Sequence, residues 1–99
     1  MKIAQDKPLD PNYTIILFYK YTHIADPAAC MAWQRELGQS LNLTGRVRIA
    51  TEGINTTLEG KNEHIAAYIT ELKKFPGFED IEIKTSVGTG CAFQKLAVK

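Results

Sequence analysis

The sequence predicts a two-layer α+β sandwich, and three observations carry that prediction. The run Tyr13-Thr14-Ile15-Ile16-Leu17-Phe18-Tyr19 is β-branched and aromatic almost throughout, as a central strand covered on both faces, or nearly so, requires. Two later segments repeat their apolar residues at helical spacing. Between them, Val47, Ile49, Ile54, Thr56 and Leu58 alternate with polar residues at the period of two that marks half-buried strands.

Each element follows in order. Residues 1–12 are polar, contain Pro8 and Pro11, and read as a flexible arm. After the first strand, Asp26 and Pro27 supply an N-cap and a first-turn proline. Cys30, Trp33, Leu37 and Leu41 form the inner stripe of that helix, while Gln34, Arg35, Glu36 and Gln39 are expected to look outward. Gly38 weakens the helix and so signals close packing. Asn42 to Gly45 end it. Two strands then form a hairpin around Glu52-Gly53. The second helix carries Ile65, Tyr68, Ile69 and Leu72 on one stripe, and Phe75-Pro76-Gly77 stop it. Ile81, Ile83, Thr85 and Val87 predict a fourth strand, and the weak alternation of Phe93, Leu96 and Val98 reads as a further short strand or a linker. The order β-α-β-β-α-β is the ferredoxin-like arrangement, a four-stranded antiparallel sheet with two helices on one face. The domain is expected over 13–90, with 91–99 as a tail. That fold hosts many chemistries, so function must come from the residues it displays.

Composition narrows the classes. Ninety-nine residues suit one domain, and 44% apolar with 23% charged residues is ordinary globular usage. A net charge of +1 announces neither a nucleic-acid nor a membrane partner, so any basic patch must come from local clustering. No apolar run approaches the ~20 residues of a membrane helix, and the polar start is not a signal peptide. The expected setting is the cytoplasm. Cys30 and Cys91 lack the spacing of a zinc site or a redox dithiol, and no metal or cofactor set is read.

No catalytic constellation emerges. Cys30 sits on an apolar helical stripe, where free cysteine is usually an inert core residue. Cys91 lies between Gly90 and Ala92 with no cationic run beside it. His23, beside Tyr21 and ahead of the first helix, is either a proton donor or anion contact at the helix end, or a loop histidine bonded to backbone. His64, in the first turn of the second helix, reads as a surface residue. Thr85 to Gly90 are small or polar but match no phosphate-loop pattern, so a plain loop is favoured. Arg46 and Arg48 alternate with Val47 and Ile49 and therefore point to the uncovered face of the sheet, ~7 Å apart along a strand. Such a pair can bind a phosphate backbone, with Phe18 or Tyr19 adding stacking surface, or can simply be solubilising. In Ala50-Thr51-Glu52-Gly53-Ile54-Asn55, Gly53 supplies a turn position tolerating φ > 0, and Asn55 can bond back across the turn.

A resemblance adds to this reading. Phe18-Tyr19-Lys20-Tyr21 followed by His23-Ile24 and Asp26-Pro27, and then Gly45, Ala50, Glu52-Gly53-Ile54-Asn55, Thr57 and Gly60, resemble the N-terminal acylphosphatase-like domain of a rhodanese-related family. That family includes bacterial oxygen-dependent tRNA uridine hydroxylases and eukaryotic rhodanese-domain-containing proteins. The likeness spans about residues 13–99. It implies that the catalytic cysteine lies in a following rhodanese domain, which would not fit before Lys99, and that Cys30 and Cys91 are not its equivalent. The chain departs from the pattern where Thr56 replaces a common glycine, and where Ala92 and Gln94 replace a common proline and basic residue. An arginine-bearing acylphosphatase loop has no counterpart between Tyr21 and Asp26, so that likeness concerns fold only.

The resemblance implies an accessory, non-catalytic domain of a tRNA-modifying, oxidoreductase-type parent. Its partners would be the rhodanese domain of the same chain and tRNA. Lys20, Tyr21, His23, Arg46, Arg48, Glu52 and Asn55 are the expected contacts. The alternative is a scaffold that docks on and orients the rhodanese domain. A free-standing hydrolase of acylphosphatase type is a third reading, testable with an acyl phosphate.

Overall fold

The computed structural model describes residues 8–99. Its elements are β1 (Asp10–Tyr21), α1 (Pro27–Ser40), β2 (Thr44–Ala50), β3 (Gly53–Lys61), α2 (Asn62–Leu72), β4 (Lys84–Gly88) and β5 (Leu96–Val98). They form one sheet in the order β4-β1-β3-β2-β5, and its first four strands have the predicted ferredoxin-like order.

The sheet corrects the predicted four antiparallel strands. It has five, because Leu96–Val98 pair in parallel with Gly45–Val47. An uncovered β2 edge would leave a row of backbone groups unpaired, and the segment after the loop satisfies them. Gly38 makes room for this strand: a Cβ there would stand 2.7 Å from Leu96 Cδ2. The close packing expected at Gly38 is thus against β5. At the other end of the chain β1 begins at Asp10, inside the segment expected to be a flexible arm, and residues 1–7 of that arm lie outside the described residues.

β4 is also shorter than predicted. Ile81 and Ile83 precede it, and Ile81 is buried from a turn closed by Phe78. The alternation there reflects a loop dipping into the core. Trp33 stacks on Phe75 at 5.0 Å, and Phe75 meets Phe78 at 4.6 Å, so the turn after α2 is pinned to α1.

Both helices lie on the face of the sheet that carries Ile16, Phe18, Val47, Ile49, Ile54 and Leu58. The helix boundaries have local causes. Asp26 Oδ1 accepts the Ala29 amide at 3.0 Å, capping α1. At the other end Asn42 adopts φ 56°, and Leu43 N–H bonds the Gly38 carbonyl, a left-handed helix stop. Gln34 is a second correction: predicted to look outward, it is 1% exposed and accepts a hydrogen bond from Tyr68 Oη at 2.6 Å. Burial in this core raises the Tyr68 phenol well above its usual pKa, and burial pushes the Cys30 thiol up to about 11.

Candidate nucleic-acid interface

With helices on one side only, the alternation of β1, β2 and β3 delivers a second set of side chains to an open face. Pairing aligns them in rows. Tyr19 lies opposite Asn55, and Asn55 lies opposite Arg48. Lys99 N–H bonds the Val47 carbonyl at 2.8 Å while its own carbonyl accepts from Ile49 at 2.7 Å, which continues the β5 ladder and sets Lys99 beside Arg48. The row Tyr19-Asn55-Arg48-Lys99 therefore crosses four adjacent chain segments at ~4.8 Å spacing. The neighbouring row is Leu17-Thr57-Arg46-Ala97.

Tyr19 is 65% exposed and Tyr21 80% exposed, unusual values for aromatic residues in a small domain. Their rings meet edge to face at 5.9 Å and 62°. Beside them is an open concavity of about 730 Å³ whose lining includes Tyr19, Tyr21, Arg48, Gly53, Asn55 and Lys99. Phe18, the other aromatic residue considered for this face, is buried in the core.

The hairpin bounding the concavity is held on two sides. Ala50 pairs with Gly53 across the turn Thr51-Glu52. Gly53 has φ 154°, and a Cβ there would run into the Lys20 carbonyl of β1. The amides of Thr22 and Ile24 bond the carbonyls of Glu52 and Thr51 at 3.1 and 2.9 Å, so the loop carrying His23 is tied to the turn.

The seven residues expected from sequence separate into two groups. Tyr21, Arg48, Glu52 and Asn55 line the concavity, with Arg46 one row away. Asn55 sits within β3 between Tyr19 and Arg48, and its amide makes no bond back across the turn among the described residues. Lys20 and His23 are not brought to this face as free contacts. Lys20 Nζ pairs with Asp80 at 3.0 Å, and that ammonium holds the Asp80 carboxyl below its usual pKa. His23 is exposed in the loop ahead of α1, whose N-terminus is already occupied by the Asp26 carboxylate. Of the two aromatic candidates, the parity that puts Arg48 on the open face selects Tyr19, whereas Lys99 depends on a pairing no local pattern reveals.

The loop after β4 answers another expectation. Glu59 is 1% exposed, and its carboxylate accepts the amides of Thr89 (2.8 Å), Gly90 (3.0 Å) and Ala92 (3.0 Å). The backbone donors that a phosphate loop would offer to a ligand are thus engaged by an internal carboxylate. Cys91, in this loop, is free and exposed, and Cys30 is free and buried. Among the described residues no group of three or more His, Cys, Asp or Glu side chains is placed to hold a metal, and no helix is long and apolar enough to cross a membrane.

Comparison with known proteins agrees with this architecture. The family model for the UPF0176 acylphosphatase like domain matches residues 13–99. The tRNA uridine(34) hydroxylase of Corynebacterium glutamicum (strain R) is 46% identical over 85 residues, covering 86% of this chain and 27% of that protein. The protein of the same name from Corynebacterium jeikeium (strain K411) is 43% identical over 91 residues, covering 91% of this chain and 29% of that protein. The chain therefore spans less than a third of the length of these relatives. Among solved structures, BlrP1 BLUF is similar with a TM-score of 0.70 at 16% identity, covering 87% of this chain and 63% of that one. An acylphosphatase from Coxiella burnetii gives 0.58 at 12% identity over the whole of both chains. These two likenesses concern the fold alone. The match over 13–99 is decisive: the chain belongs to the UPF0176 acylphosphatase-like domain family.

Proposed function

We propose that this chain is a non-catalytic accessory domain that contributes RNA binding to tRNA wobble-uridine hydroxylation. The observation that carries the reading is the row Tyr19-Asn55-Arg48-Lys99, with Arg46 alongside. A nearly neutral chain has here gathered three cations onto one open face next to two exposed tyrosines, Tyr19 and Tyr21. Guanidinium groups bind phosphate oxygens in a forked geometry, and aromatic rings give sequence-tolerant contact to bases. Relatives named tRNA uridine(34) hydroxylase supply the substrate class, and their greater length leaves room for the chemistry in a rhodanese-type domain outside this chain.

The test is tRNA binding by the chain at several salt concentrations, wild type against Arg46→Ala/Arg48→Ala. The double variant should bind at least tenfold more weakly with a shallower salt dependence, each lost phosphate contact reducing the slope by roughly 0.7 to 0.9. Unchanged affinity and slope would remove the arginine face from the account.

A second reading rests on the exposed apolar stripe Leu17, Tyr19 and Tyr21, which a neighbouring protein domain could cover as readily as RNA. In that case the domain orients a rhodanese domain. Addition of the separate rhodanese domain would then perturb the hairpin and β1, and tRNA would perturb neither.

A further inference from the structure

Resting on that reading of the open face, we infer that it takes single-stranded RNA, seating one unpaired base on the Tyr19 ring with the flanking phosphates on Arg48 and Lys99. Charge differs between the two sides of Tyr19. On the β2 and β5 side stand Arg46, Arg48 and Lys99, with Glu52 at the hairpin. On the β4 side, Lys20 and Lys84 are balanced by Asp80 and Glu82, and the Lys20–Asp80 pair is closed at 3.0 Å. A duplex presents two phosphate tracks, whereas this face offers one cationic track and, across from it, a balanced one. One strand fits that asymmetry.

The aromatic geometry points the same way. Tyr21 meets Tyr19 edge to face, which braces the pair while leaving Tyr19 65% exposed. A base paired inside a duplex cannot stack on an aromatic side chain exposed on a sheet face, but an unpaired base can. Asn55 lies between Tyr19 and Arg48 in register, and its side chain is exposed beside the Tyr19 ring's position in the row. Its amide offers a donor and an acceptor side by side, the pattern that pairs with a base edge. Tyr19 therefore stacks, Arg48 and Lys99 hold phosphate, and Asn55 reads the base.

Fluorescence anisotropy with a labelled single-stranded octaribonucleotide and with its blunt duplex tests this on the full chain. The single strand should bind at least tenfold more tightly than the duplex. Tyr19→Ala should weaken single-strand binding about tenfold without changing the salt slope, and Tyr19→Phe should retain it. Asn55→Ala should narrow the affinity differences among octamers of uridine, cytidine and adenosine. Equal affinity for strand and duplex, with Tyr19→Ala indistinguishable from wild type, would overturn the stacking site while leaving RNA binding intact. Binding of neither RNA would instead overturn the accessory RNA-binding function itself. Circular dichroism of Tyr19→Ala, set beside Tyr19→Phe, separates a lost stack from a lost fold.

Discussion

Glu59 and Gly90 are joined through a buried carboxylate: Glu59 Oε2 accepts the Gly90 amide at 3.0 Å, and the Thr89 and Ala92 amides complete the cluster. Gly88 approaches so closely that a Cβ would collide with the same carboxylate. This clamp fixes the loop that leads from β4 to β5 and so positions Lys99. Removing it by Glu59→Ala should cost about 2 kcal/mol, because the freed amides are only partly reached by water. Glu59→Gln, which keeps an acceptor but loses the charge, should cost less. Urea unfolding measures both. Hydrogen exchange at Thr89, Gly90 and Ala92 should accelerate in Glu59→Ala before exchange in α2 does.

Tyr68 and Gln34 form a buried hydrogen-bonded pair in a largely apolar core. Among the described residues, Gln34 Nε2 and Thr56 Oγ1 are buried there with no hydrogen-bond partner. Tyr68→Phe should destabilise the fold by about 2 kcal/mol, since it also strands Gln34 Oε1. Replacing both partners, as Gln34→Leu/Tyr68→Phe, should cost less than the sum of the single changes. Additive costs in thermal or urea denaturation would show that the two side chains are energetically independent.

At the hairpin, Gly53→Ala should destabilise by about 2 kcal/mol or more, because a Cβ drives against the Lys20 carbonyl at a φ that L-residues rarely adopt. Glu52→Ala, one residue away and exposed, should change stability by less than about 0.5 kcal/mol. Comparable losses in the two variants would contradict the close β1–β3 approach.

Alkaline pH provides a separate test of the core. The Cys30 thiol moves from 9.0 to about 11, and the Tyr68 phenol is also raised, chiefly by burial in each case. Both folded-state values lie above the unfolded ones, so this stability is fully present below about pH 9. It is lost as pH climbs through about 11 for Cys30 and further for Tyr68. Cys30 contributes on the order of 2 kcal/mol to that loss. In Cys30→Ala, stability relative to its own value at pH 8 should stay level to about pH 10, whereas the wild type is already declining. Parallel profiles for the two proteins would exclude Cys30 as the first group to titrate.

Much of this was legible in sequence, and the exceptions share a cause. Both helical stripes, the Asp26 cap, the Gly53 turn and the outward facing of Arg46 and Arg48 depend on neighbours within a few residues, so spacing alone reveals them. Gln34 and Glu59 were not legible, because the partners that make their burial tolerable lie 34 and 30 residues away. Ile81 and Ile83 imitated a strand because loop residues that plug a core can alternate too. Lys99 joins the open face only through parallel pairing with β2, a long-range event that the weak alternation of 93–98 hints at but does not assign. Most of the candidate interface, Arg46 and Arg48 included, was therefore readable from period-two parity, while Lys99 required the sheet.

We propose the helix-free face of the sheet as the RNA-binding surface. Backbone chemical-shift mapping of the labelled chain during titration with tRNA tests it most directly. Shifts are expected at Tyr19, Tyr21, Arg46, Arg48, Asn55 and Lys99, with α1 and α2 silent. Shifts confined to the helices, or none at tRNA concentrations that saturate a nonspecific single-strand binder, would contradict it.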